Sequence, residues 1–279
     1  MTGGTADRSR RPIPTLVRED ERSRVIDTPA AGRAQGRYCY LLDLDAGLAD
    51  RLSMRMRMVA RPVATAVVVE APPGPVAPGA LLGTSASGLG ALVVKGVLAL
   101  DVQVGDRTAT ELIGEGALLC PADGAEDPAL LSHEARVRAL EPSRLALIDD
   151  AFLERVRPWP EIMLELARRA VRRTMELNVQ RAATCHPRAD VRIALLLWHL
   201  ADPWGKVGPD GILLPLPLTH QLIGQMVGAE RPTVSHALAR LSAAGLVTRC
   251  KSGLVLHGTA EHHIACLVAR SEPGDAAHA

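Results

Sequence analysis

Aromatic side chains are almost missing from this chain: one Phe, two Tyr and three Trp make up 2% of its 279 residues. Any core must be packed from Leu, Val, Ile and Ala. The apolar content of 47% suffices for that and is too high for a disordered chain. No uncharged apolar stretch reaches the ~18 residues of a membrane-spanning helix, so no membrane partner is expected. Six arginines lie between Arg8 and Arg24 with no apolar segment behind them, so no secretory signal is expected. No histidine precedes His133. That removes the two or three histidines that a small β-barrel metalloenzyme with a helical appendage, the main enzymatic alternative, would need. Cysteine is sparse as well: Cys39, Cys120, Cys185, Cys250 and Cys266 are scattered and odd in number. They suit a reducing cytoplasm, and neither a disulfide framework nor an iron–sulfur cluster. The segment GTSASGLG at 83–90 lacks the lysine of a phosphate-binding loop, and no Ser/His/Asp or Cys/His arrangement has supporting context. No enzyme activity, no cofactor and no metal site is expected.

What is present lies between Leu218 and Leu246, LTHQLIGQMVGAERPTVSHALARLSAAGL. Thr219 is an N-cap residue, and Leu222, Ile223 and Met226 fall on one face at helical spacing. Gly228 stands where the chain must turn sharply, because glycine takes positive φ at no steric cost. A second helix opens at Arg231–Pro232, proline being tolerated in a first turn. Val234, Leu238 and Leu241 form its apolar face; Arg231, Thr233, Ser235, His236 and Arg240 look outward. This is the plan of a DNA-reading helix-turn-helix. Residues Leu246–Gly258 alternate around Lys251–Ser252–Gly253 and read as the hairpin of a wing. The net charge of +1 hides a local surplus: seven bases against four acids between His186 and Ala260. A local basic surface is what phosphate contact requires.

The rest of the chain divides by pattern. Residues 1–35 read as a disordered basic arm, and 36–155 as a β-rich domain. Within the latter a helical entry at Leu41–Met58 precedes strands at Val63–Glu70, Ala91–Leu100, Val102–Gly105, Arg107–Leu112 and about 144–150, with a turn-rich loop at 72–79. A long helix follows, inside 156–184. Met163, Leu166, Ala170 and Leu177 give it an apolar seam, interrupted by Arg173 and Gln180, which suits pairing with a second copy or packing on its own β domain. The DNA-binding domain spans 185–262, its first helix at Ala189–Leu200, and 263–279 read as a tail. His262, His263 and Cys266 fall after the wing and read as surface residues.

This order of parts resembles the Crp–Fnr superfamily of bacterial transcription regulators. LTHQLIGQMVGAERPTVSHALARL is similar to its helix-turn-helix, and LLLWHLADPWGKVGPDGILLPLPLTH to the lead-in helix and hairpin of one branch. The resemblance implies an α+β protein with an N-terminal antiparallel β-roll (a cyclic-nucleotide-binding-like jelly roll), a long dimerisation helix and a C-terminal winged helix-turn-helix. It places Arg231 where family members read a guanine edge, and His220 and Gln221 at phosphate-contacting positions. Thr233, Ser235, His236, Arg240 and Lys251 complete the expected DNA surface. Pro232 stands where many members have a glutamate and His236 where many have a second arginine, so the family's best-known operator does not transfer.

The sensor departs further. Cyclic-nucleotide-binding members have a glycine–glutamate pair followed by an arginine and a small residue. Gly114–Glu115–Gly116 resembles the first half of that cassette, and equally the glycine turn before it; no arginine lies between Arg107 and Arg136. The expected function is a homodimeric, sequence-specific regulator of transcription, cytoplasmic, with a degenerate sensor whose effector is unknown or absent. The alternative is a cyclic-nucleotide-responsive regulator with an atypical cassette. Expected partners are double-stranded DNA carrying an inverted repeat and a second copy of the chain; RNA polymerase and a small-molecule effector are candidates.

Overall fold

The computed structural model describes residues 36–77, 88–120 and 133–269. The expected arm at 1–35 and residues 83–87 of the glycine-rich segment lie outside the described residues. Two antiparallel sheets build the N-terminal half. The first runs β1 (Gly36–Tyr40), β2 (Thr65–Ala71), β9 (Ser143–Ile148), β4 (Gly90–Lys95) and β7 (Leu118–Leu119). The second runs β3 (Gly74–Val76), β8 (Glu134–Ala139), β5 (Leu98–Val104) and β6 (Arg107–Ile113). Between them lies an aliphatic core including Val69, Val93, Leu98, Ile113 and Leu145, as the shortage of aromatics requires. The chain crosses from β4 to β5 at Gly96, whose φ is +98°; a Cβ there would fall 2.3 Å from Ser143 Oγ, so only glycine fits.

The other face of the first sheet is closed by α1 (Leu41–Leu44), a 3-10 turn (Ala46–Ala49), α3 (Asp150–Val156) and the start of α4 (Pro160–Thr184). Phe152, the chain's one phenylalanine, is fully buried there with Leu41, Leu48, Ile162 and Leu166. The single helix expected at Leu41–Met58 is in fact three short pieces, the last being α2 (Met54–Ala60). Ser53 caps α2 by accepting a bond from the Met56 amide, which starts a new helix rather than continuing the old one. The loop expected at 72–79 holds β3, an edge strand where the missing N–H of Pro75 costs nothing.

The C-terminal half comprises α5 (Ala189–Trp204), β10 (Lys206–Gly208), β11 (Gly211–Leu214), α6 (His220–Val227), α7 (Arg231–Ala243), β12 (Val247–Cys250), β13 (Gly253–Leu256) and α8 (Ala260–Ala269). Its four strands form one sheet in the order β10-β11-β13-β12. The expected tail from 263 onward is therefore corrected as far as Ala269: α8 packs on α5, burying Leu267. His263 is not a surface residue. It is fully buried, edge-on to Trp198 with ring centroids 5.2 Å apart.

Two relationships link the halves. Val97 of the β4–β5 turn and Ala99 and Leu112 of the second sheet are buried in the same apolar cluster as the C-terminal domain, so β-roll and winged helix share a core. The long helix α4 buries Ile162 and Leu166 against the roll, with Met163 and Ala170 packed alongside. The apolar seam read from the sequence is thus used within the chain, where the helix packs on its own β domain. A different stripe, Leu164, Val171, Met175 and Val179, is left exposed.

Candidate nucleic-acid interface

Helix α6 begins as its residues dictate: Thr219 Oγ1 accepts from the Leu222 amide at 3.1 Å, and Leu222, Ile223 and Met226 are buried. It ends at Gly228 with φ +64°. The turn after α6 closes tightly on Gly224, where a Cβ would lie 2.4 Å from the Ala229 carbonyl oxygen. Helix α7 follows with Pro232 in its first turn, and buries Val234, Ala237 and Leu241. Leu238, expected on that face, is partly buried against the same core.

The outward face gathers most of the expected DNA contacts. Arg231, Thr233 and His236 are exposed on α7, and Gln221 on α6. Arg231 makes no ion pair or side-chain hydrogen bond among the described residues, so its five N–H donors are free at the head of the helix. His220 Nδ1 lies 2.8 Å from Ser235 Oγ, which is 3.0 Å from the Arg231 carbonyl oxygen. The hydroxyl has one proton and gives it to the carbonyl, so it accepts from the Nδ1–H of His220. The pair locks the first turn of α7 to the first turn of α6. Lys251 is exposed in the two-residue turn between Cys250 and Gly253, at the tip of the wing.

Arg240 has another engagement. Its Nη2 lies 2.9 Å from the carboxylate of Asp190, which is 2% exposed and also receives both Arg188 Nε and Nη2. Arg107 of β6 meets Glu230, the residue before α7, at 3.0 Å across the domain boundary. Gln180 of α4 donates to the carbonyl oxygens of Thr110 and Met226, at 3.1 and 3.4 Å.

The expected sensor turn, Gly114–Glu115–Gly116, lines a cavity of about 360 Å³ between the roll, α4 and the end of α5. Three arginines, Arg169, Arg172 and Arg173, reach it from α4. They lie outside the span from Arg107 to Arg136 because they come from a distant helix; their spacing of three and four on one helical face is the signal the sequence carries. Two of them are already occupied. Arg169 binds Asp45 in bidentate fashion and Glu165 Oε1 at 3.3 Å, and Arg173 binds Glu111 in bidentate fashion at 2.7 and 2.6 Å. Burial works against the charge of both, but the carboxylates outweigh it and hold each guanidinium above its ordinary pKa. Among the described residues no cluster of histidine, cysteine and carboxylate has the arrangement to hold a metal, and no helix is long and apolar enough to cross a membrane.

A β-roll, a long helix and a winged helix-turn-helix with an exposed reading face define a regulator of transcription that binds DNA. Residues 191–259 match the family model described as a Crp-like helix-turn-helix domain. The cAMP-activated global transcriptional regulator CRP of Pasteurella multocida is 30% identical over 173 residues, covering 60% of this chain and 80% of that protein. The global nitrogen regulator of a Synechocystis strain is 26% identical over 98 residues, 35% of this chain and 44% of that one. Among solved structures, a variant of CooA from Carboxydothermus hydrogenoformans has a TM-score of 0.59 at 19% identity, covering 87% of this chain and 97% of the other. The c-di-GMP responsive regulator CLP of Xanthomonas campestris has a TM-score of 0.53 at 19% identity, covering 77% and 100%. At that identity these two speak for the fold alone. The chain belongs to the Crp–Fnr superfamily of transcription regulators.

Proposed function

We propose that the protein is a homodimer that recognises an inverted repeat in double-stranded DNA, with α7 in the major groove of each half-site. The observation that carries this reading is the unpaired guanidinium of Arg231 at the exposed head of α7, beside a first turn locked by His220 and Ser235. A bidentate arginine–guanine contact supplies about 1–3 kcal/mol of discrimination. Gln221, Thr233, His236 and Lys251 complete the surface, and Arg240 contributes through the part of its side chain left exposed (60%) beyond its ion pair with Asp190. The exposed stripe Leu164, Val171, Met175 and Val179 recurs at seven- and four-residue intervals, the spacing that a helix pair across a two-fold axis uses. Residues 36–155 act as the sensor, 156–184 as the dimerisation helix and 185–262 as the DNA-binding domain, working in the cytoplasm.

Cyclic-nucleotide control is the second reading, motivated by the cAMP-activated relative. The carboxylates already bound to Arg169 and Arg173 weigh against it, because a phosphate would have to displace them. Selection of bound DNA from a random pool, without added ligand and at near-physiological salt, tests the main reading. Enrichment of an inverted repeat with half-sites about one helical turn apart supports it. Uniform recovery with intact, salt-sensitive binding would assign the unliganded protein to an inactive state.

A further inference from the structure

The cavity beside Gly114 is placed to sense something, since its walls come from both the N-terminal roll and the C-terminal half as well as the helix between them. Its floor is the roll, one side is α4, and its roof is Pro203 and Trp204 at the end of α5. Trp204 reaches across because residue 114 is glycine: a Cβ there would fall 2.7 Å from the indole Cζ2. At about 360 Å³ the space is within the range of small-molecule sites.

Its charge identifies the class of occupant. Glu111, Glu115, Glu141 and Glu176 face Arg169, Arg172 and Arg173. Arg169 is spent on Asp45 and Glu165, neither of which lines the cavity, and Arg173 is spent on Glu111. The charge of Glu176 also acts on Arg173. That leaves Glu115 and Glu141 with no ion-pair partner among the described residues; Glu115 accepts only a long bond, 3.4 Å, from the Gly96 amide. Arg172 is the one cation there with no assigned carboxylate. An anion would meet surplus carboxylate. A cation would meet two free carboxylates and the indole of Trp204, which attracts positive charge to its face.

We propose that this cavity binds a small organic cation bearing an ammonium or guanidinium group, held by Glu115 and Glu141 and packed against Trp204. Such a ligand bridges the roll and the C-terminal domain, so it stabilises the arrangement in which they share a core. It shifts DNA affinity by whatever preference it has for that arrangement. The regulatory consequence rests on the DNA-binding reading above; the binding does not.

The test uses the full chain without DNA, and agmatine, which carries both cationic groups and no anionic one. Titration calorimetry should give saturable one-to-one binding. The E115Q/E141Q double variant should weaken it by about tenfold or more, since two exposed charge contacts are lost. Both side chains are exposed, so the double variant should melt as the parent does. W204F should weaken agmatine while leaving the stoichiometry unchanged. No saturable heat at millimolar agmatine would overturn the proposal, as would unchanged affinity in E115Q/E141Q or displacement of agmatine by cyclic AMP. Failure to select a DNA site would count against the regulator reading and leave the titration result standing.

Discussion

The guanidinium of Arg240 on α7 and the buried carboxylate of Asp190 on α5 lie 2.9 Å apart. Asp190 also binds Arg188, whose Nη1 donates to the Leu267 carbonyl oxygen at 2.7 Å, so one carboxylate ties together α5, α7 and α8. Burial raises the Asp190 pKa, but the hydrogen bond from Arg188, followed by the charges of Arg188 and Arg240, brings it below the usual carboxylate value. Its contribution to stability is therefore present above the unfolded pKa of about 4 and is lost as pH falls through the lower folded value. Asp190→Asn should cost about 3 kcal/mol, read as a drop in the urea midpoint, and should flatten the acid side of the stability profile. An unchanged midpoint would show that the arginines find equivalent partners.

Gly224→Ala should destabilise the helix-turn-helix, because the added Cβ would sit 2.4 Å from the Ala229 carbonyl oxygen, a backbone atom that cannot swing aside. Overpacking of this kind costs about 1–3 kcal/mol. Gly228→Ala meets no atom within 4 Å yet has φ +64°, and should cost about 1–2 kcal/mol from the left-handed backbone alone. Thermal unfolding of the two variants separates contact from conformation.

His263 should make the winged helix sensitive to mild acid. Its Nε2–H donates to the His257 carbonyl oxygen at 2.6 Å, and its Nδ1 is buried with no partner among the described residues. Burial lowers its pKa; the His257 carbonyl opposes this, while the charges of His262 and His257 add to it. The stability it contributes is complete above the ordinary value of about 6.5 and is lost as pH falls below that toward the folded pKa. The fall in melting temperature from pH 7.5 to pH 5.5 should be smaller in His263→Gln than in the parent. Equal falls would remove His263 from the account.

Arg231→Ala should weaken binding to the selected site by about 1–3 kcal/mol and leave most non-specific binding intact. Competition binding at fixed salt measures both terms; equal losses in specific and non-specific affinity would reduce Arg231 to a phosphate contact.

Cyclic AMP should leave the melting temperature unchanged. A ligand at a hundred times its dissociation constant stabilises by about 2.7 kcal/mol, a shift that differential scanning would register easily. A clear rise would mean that the nucleotide displaces the carboxylates from Arg169 and Arg173, or uses residues elsewhere.

The winged helix was legible in the sequence because its signals are local: Thr219, Gly228 and Pro232 mark three boundaries, and Leu222, Ile223 and Met226 mark a face. The roll is legible only as strands, and the sequence pattern does not reveal β1, β3, β7, β8 or α3. A two-residue strand such as Leu118–Leu119 has no period to detect, and β8 alternates charged residues with Ala and Val rather than with large apolar ones. The seam of α4 was visible, but what it packs against is decided by residues more than fifty positions away, as Arg169 with Asp45 and Arg173 with Glu111 show. The cavity was invisible for the same reason. Its charge balance depends on which carboxylate each arginine takes, and that is a property of the fold.

Strand β13 lies between β11 and β12, so the lead-in hairpin and the wing are halves of one sheet. From the wing tip at Lys251 a continuous strut runs through β13 to β11 by way of the Val255–Leu213 pairing, and then to Gly205 and Trp204 beside Gly114. The wing and the strands that follow the roof of the cavity therefore belong to one hydrogen-bonded sheet.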